Sequence, residues 1–139
     1  MRIRTLIALA IAATMGLTAC SGSGSGLTGK TWPLTALTHR VASGMGPVSP
    51  ADKGKYTIEF KTDGTYNAKA DCNQTSGTYT TTSDHGLTIT SDPASLVDCG
   101  ASSYADQYIH SLATASSYAI VDGELTIVTD EGGWSAVFK

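Results

Sequence analysis

The chain has 139 residues, 41% of them hydrophobic and 7% aromatic, with nine Lys and Arg against twelve Asp and Glu. That length holds one domain of ordinary size. The mild, scattered acidity, with no cluster of basic side chains, argues against nucleic acid or anionic headgroups as electrostatic partners.

Residues 1–19 have the make-up of an export signal. Arg2 and Arg4 precede an apolar run from Leu6 to Leu17, which ends on small residues. The run falls short of the roughly 20 residues a membrane-spanning helix needs. Leu17-Thr18-Ala19-Cys20 resembles a bacterial lipobox. That resemblance implies a diacylglyceryl group on Cys20 and cleavage just before it, which makes the membrane a partner through the lipid. Removal of Arg2 and Arg4 leaves seven basic against twelve acidic residues, a net charge of about −5. Ser21 to Gly26 alternates serine and glycine, so residues 20–26 form the lipidated cysteine and a flexible tether. Ser21 is not the aspartate associated with inner-membrane retention. The expected address is the cell envelope: an outer membrane facing the periplasm, or the outer face of the plasma membrane.

The folded part, residues 27–139, is dense in strand signals. Trp32-Pro33-Leu34 reads as an edge strand, because proline lacks the N–H a central strand donates. His39 to Gly54 has no periodicity and reads as a long surface loop. Tyr56 to Phe60 alternates apolar and polar residues. Asp63-Gly64 then gives the cue for a type I′ hairpin, with Thr65 to Ala70 returning. Gly77 to Thr82 and Leu87 to Ser91 flank Asp84-His85-Gly86, with the glycine expected to supply the left-handed turn residue. From Ser102 to Ser116 the period changes. Tyr104, Tyr108 and Leu112 fall on one helical stripe beside Ala105 and Ile109, and Ser103 with Asp106 resembles a capping pair. Tyr118 to Val121 and Leu125 to Val128 flank Asp122-Gly123, a third hairpin, and Trp134 to Phe138 is a last strand. The expected fold is α+β and mainly β: a small curved antiparallel sheet, or open barrel of hairpins, with one packed helix.

With Cys20 lipidated, Cys72 and Cys99 remain, and an even pair in an exported chain reads as a disulfide. Two free buried thiols are the alternative. Zinc with His39, His85 or His110 lacks the close spacing zinc ligands show, so neither metal nor cofactor is expected.

The order of these elements from Leu27 to Lys139 resembles the META domain, the family of the HslJ-like heat-shock lipoproteins. The match lies in Trp32-Pro33-Leu34, Phe60 with Asp63-Gly64, and Asp71-Cys72-Asn73 followed by Gly77 and Tyr79. It continues in Cys99, Tyr118, Asp122-Gly123, Leu125-Thr126-Ile127 and Phe138. Asp71 stands where the family motif usually has glycine, a residue that accepts positive φ more readily. The motif reads first as a structural device. Asn73 would bond its own backbone in a turn, Cys72 would be tied to Cys99 at the helix entrance, and Gly77 would allow a bend. The functional alternative is a binding surface around Asp71, Asn73 and Gln74.

No catalytic constellation stands out. Asp71 and Asp98 each precede a cysteine and could approach one another, but carboxylates in polar turns are usually solvated. His85 at a hairpin tip has nothing to orient it, and His110 lies off the apolar stripe. No serine sits in a G-x-S-x-G elbow, and no phosphate-binding glycine pattern appears. Trp32, Trp134 and the tyrosines read as core rather than as the wall of a ligand cavity. The expectation is therefore a monomeric, non-enzymatic, lipid-anchored envelope protein. The META resemblance implies a stress-related or surface-associated role, with an envelope protein contacted through the sheet edge or the His39–Gly54 loop. The alternatives are a small-molecule binder with an apolar pocket at one end of the sheet, and a hydrolase-inhibitor module that inserts the long loop.

Overall fold

The computed structural model describes residues 26–39, 52, 54–130 and 133–139. The export signal, Cys20, the tether as far as Ser25 and most of the His39–Gly54 loop lie outside the described residues.

Among the described residues eight strands follow one another: β1 (Thr31–His39), β2 (Tyr56–Phe60), β3 (Thr65–Ala70), β4 (Asn73–Thr81), β5 (Leu87–Ser91), β6 (Ala115–Val121), β7 (Glu124–Thr129) and β8 (Trp134–Phe138). One helix, α1 (Ala105–Ala113), joins β5 to β6. All strand pairs are antiparallel, in the order β5-β4-β3-β2-β1-β8-β7-β6. The outer strands then meet. Gly86 bridges Ser117, and the Tyr118 N–H donates to the His85 carbonyl at 3.0 Å. The sheet is thus nearly closed into a barrel, and the expected fold class holds.

Alternation decides which side chains enter the barrel. Tyr56, Ile58 and Phe60 are buried while Thr57 and Glu59 are not, as a period of two requires. Trp32, Tyr66 and Phe138 join Phe60 in an interior filled by side chains, and the Trp32 indole N–H donates to the Leu27 carbonyl at 2.9 Å. The helix presents Ala105, Tyr108, Ser111 and Leu112 to this interior and contacts β3, β5, β7 and β8. Its stripe is the one the tyrosine spacing predicts, although α1 is shorter at both ends than Ser102–Ser116.

Three local expectations need correction. β1 is central, not an edge strand, and lies between β2 and β8. Pro33 is tolerated because β1 changes partner there. Thr31 to Pro33 pair with β2, the strand pairs with β8 from Leu34 onward, and a bulge follows between Leu34 and Ala36. The β2–β3 link is not a two-residue type I′ turn. Only Gly64 has positive φ, and Asp63 instead accepts the Thr65 N–H on its carboxylate at 2.9 Å. In the β4–β5 hairpin the left-handed residue is His85, φ 65°, rather than Gly86. By contrast, Asp122 and Gly123 both have positive φ, as a type I′ turn demands.

Candidate functional site

The Asp71-Cys72-Asn73 motif forms the corner between β3 and β4. Asp71 adopts φ 59°, the left-handed conformation that glycine takes most readily. Its N–H donates to the Lys55 carbonyl at 2.7 Å. Its carboxylate lies 3.2 Å from the Lys55 ammonium and accepts from the Tyr56 hydroxyl at 3.4 Å. The neighbouring Ser103 hydroxyl, followed by Lys55 and Tyr56, holds this carboxyl below its ordinary range. Here the side chain brings partners that glycine could not, which offsets the less favourable backbone.

Cys72 and Cys99 form a disulfide, with Cα atoms 5.6 Å apart. It fastens the β3–β4 corner to the strap of residues 92–104 that runs from β5 to the helix. Asn73 supplies a second fastening. Its side chain is buried, and its amide pairs with one backbone unit of the strap. Nδ2 donates to the Val97 carbonyl and Oδ1 accepts the Val97 N–H, both at 2.9 Å. The expectation that Asn73 bonds its own turn is therefore replaced by a longer-range bond. A third fastening joins Asp92 to β4. The Asp92 N–H donates to the Ser76 carbonyl at 2.8 Å, and the Ser76 hydroxyl donates to the Asp92 carboxylate at 3.0 Å.

The helix entrance is organised by Tyr56, which alternation alone marks only as a core residue. Its hydroxyl accepts the Tyr104 N–H at 2.9 Å and lies 3.3 Å from the Ser103 hydroxyl. Ser103 in turn accepts the Ala105 N–H at 3.2 Å. Two of the unpaired amides at the helix start are thereby satisfied, and Asp106 takes no part in the cap.

The remaining candidates have separate surroundings. Asp98 accepts the Gly100 N–H at 2.8 Å, away from the partners of Asp71. His85 and His110 are exposed. His39 stacks on Trp134 with ring centres 4.3 Å apart. Among the described residues no three His, Cys, Asp or Glu side chains gather as a metal site would require. No helix among them is long and apolar enough to cross a membrane.

Gln74 points outward from β4, into a feature that strand patterns alone do not reveal. Two adjoining clefts, of about 350 and 240 Å³, lie on the outer face of the sheet and share Asn67, Ala68 and Gln74. The pairing register explains them. Thr31, Glu59, Asn67 and Ser76 are successive cross-strand partners, with Asp92 bonded beyond Ser76. Thr57, Lys69 and Gln74 form a parallel row. Pro93 and Ala94 of the strap wall off one end. Alternation marks each of these side chains as outward. Only the register shows that they form a groove across β1 to β4. Of the predicted surface, then, Gln74 lines the groove, Asn73 is consumed in holding the strap, and Asp71 is engaged at the corner.

A META domain family model matches residues 25–139. A search of curated proteins finds no match. Two solved structures share the fold. A DUF4847 family protein from Bacteroides vulgatus, 16% identical, has a TM-score of 0.62, with 83% of this chain and 94% of that one covered. A protein from Burkholderia xenovorans, 19% identical, has a TM-score of 0.59, with 81% and 82% covered. At such identities the likeness concerns the fold alone. The family match spans the whole barrel, from the residues before Leu27 to the last strand, and on that ground the chain belongs to the META domain family.

Proposed function

We propose that this protein is a non-enzymatic recognition module of the cell envelope, tethered by a lipid on Cys20, which binds an envelope protein through the polar groove across β1 to β4. The observation that carries this reading is the contrast between the two faces of the sheet. The inner face is filled by Trp32, Phe60, Tyr66, Tyr108 and Phe138. The outer face offers hydroxyl, amide, ammonium and carboxylate groups along one groove. A filled interior leaves little support for a small-molecule pocket inside the barrel, and the meeting of β5 with β6 shortens the free sheet edge. The groove therefore takes the place of the edge as the contact surface. The resemblance of the motif residues to HslJ-like proteins supports a stress-related role, as an expectation for its expression.

The test uses the tethered chain in its native membrane. Cross-linking and affinity capture should recover one stoichiometric envelope protein from the wild type. Gln74→Arg with Lys69→Glu, both exposed groove residues without a side-chain hydrogen bond to the strap, should abolish its recovery without moving the melting temperature. Capture that is indifferent to the groove variant would refute the site. Radioactive palmitate should label the wild type and leave Cys20→Ala unlabelled. Equal labelling of both would refute the anchor.

A further inference from the structure

We propose that the Cys72–Cys99 disulfide is a thiol–disulfide exchange site with a fixed direction: an incoming thiolate bonds to Cys72, and Cys99 leaves as the thiolate. Access differs first. Cys72 is exposed at the corner, whereas Cys99 is half-buried and packs against the edge of the core. A nucleophile arriving from solvent therefore meets the Cys72 sulfur.

The polar surroundings differ in the same sense. Cys99 Sγ accepts two N–H groups, from the Cys72 backbone and from Asn73 Nδ2, each at 3.3 Å. The carbonyl oxygens of Val97 and Ala70 lie farther away, at 3.8 and 4.0 Å. Among the described residues Cys72 Sγ meets only the Val97 carbonyl, at 4.0 Å. Hydrogen-bond donors stabilise a thiolate, and the sulfur with the lower thiol pKa is the better leaving group. The charges nearby work against a thiolate on Cys99, because Asp98 and Asp106 border the small hollow beside it, so the preference rests on the two donors and on access. Asp71, next to Cys72, is paired with Lys55.

The step balances as a displacement. The attacking thiolate forms a sulfur–sulfur bond to Cys72 as the Cys72–Cys99 bond breaks, and the electron pair of that bond goes to Cys99. The product is a mixed disulfide on Cys72. The Asn73–Val97 pairing still holds the strap, so the Cys99 thiolate stays in place to attack Cys72 and expel the thiol again. A second external thiolate would instead complete the reduction. The partner class is thus any thiol donor that can reach the β3–β4 corner.

The test exposes the full folded chain to reduced glutathione at neutral pH, traps free thiols by alkylation and locates the adduct by peptide mass spectrometry. Glutathione should sit on Cys72 and the alkyl group on Cys99, in about tenfold or greater excess over the reverse, the preference expected when a charged group gains hydrogen bonds. An even split, an adduct chiefly on Cys99, or no adduct on a chain that remains folded would overturn the proposal. In Asn73→Asp, which removes one donor and keeps the acceptor for Val97, adduct formation should slow about tenfold. An unchanged rate would overturn the assigned role of the amide. Should that variant not fold, Cys72→Ala provides an independent reading. Its Cys99 thiol should be alkylated with a midpoint below the ordinary thiol value of about 8.5, and a midpoint at or above that value would refute the assignment.

Discussion

Replacing Asn73 with alanine should loosen the strap while leaving its disulfide intact. The amide makes two 2.9 Å bonds to Val97 from a side chain only 4% exposed. Val97 itself is 60% exposed, so its freed N–H and carbonyl return to water rather than remaining buried and unpaired. The net loss is then about 1 kcal/mol for each bond. A small contribution from the space vacated beside the core brings the total to about 2–3 kcal/mol. For a domain with a urea m-value of about 1–2 kcal/mol/M, the midpoint should fall by about 1–3 M at unchanged slope. The same substitution in a Cys72→Ala/Cys99→Ala background measures coupling. Both fastenings hold one strap, so their costs should deviate from additivity by about 0.5 kcal/mol or more. A midpoint shift below about 0.3 M in the single variant would refute the claim that the amide holds the strap.

Three further outcomes follow from the packing. A Cβ on Gly77 would run into the Thr90 carbonyl and press on the Ser91 Cα at 3.0 Å, so Gly77→Ala should cost at least about 1–3 kcal/mol in thermal unfolding; a neutral result would mean that β4 and β5 move apart easily. The Tyr108 hydroxyl is buried with no hydrogen-bond partner among the described residues, and burial pushes its pKa up. Tyr108→Phe should therefore leave stability equal or higher by about 1 kcal/mol, and a clear loss of melting temperature would reveal a partner. Asp71 has a folded pKa below its ordinary 3.8, so its contribution is present above that pH and is lost as pH falls through the lower folded value. Asp71→Asn should flatten the acid limb of a melting-temperature profile below pH 3.8, and parallel limbs would show that Asp71 is not responsible.

The elements were readable wherever one short-range rule governs. Tyr104, Tyr108 and Leu112 mark the helix because every fourth residue returns to one face, and Asp122-Gly123 marks a hairpin because both residues accept positive φ. What escaped depends on residues far apart in sequence. Pro33 argues locally for an edge, yet β1 is central because its change of partner at that residue accommodates the missing N–H. Tyr56 looks like a core ring, and its second role appears only once Ser103 and Tyr104 are beside it. Asn73 belongs to the motif that carries the family resemblance, but its partner, Val97, has no sequence feature to announce it. The groove escaped for the same reason. Glu59, Asn67 and Ser76 are ordinary outward residues until the register sets them side by side.

The handover at Pro33 also governs the order in which the molecule can assemble. Strands β2 to β5 form from neighbouring hairpins, as do β6 to β8, and each group closes through short loops. The two groups are joined along β1 and β8, where the Thr35 hydroxyl donates to the Val137 carbonyl across 102 residues of chain. Closing so long a loop costs entropy before any contact repays it, which places this junction among the slow, late steps of folding. Until it forms, one flank of β1 is an open strand edge in the middle of the future barrel, able to pair with the β8 of another copy as readily as with its own. Concentration during refolding, more than temperature, should then set the yield of monomer, with exchange of β8 between two chains as the characteristic error.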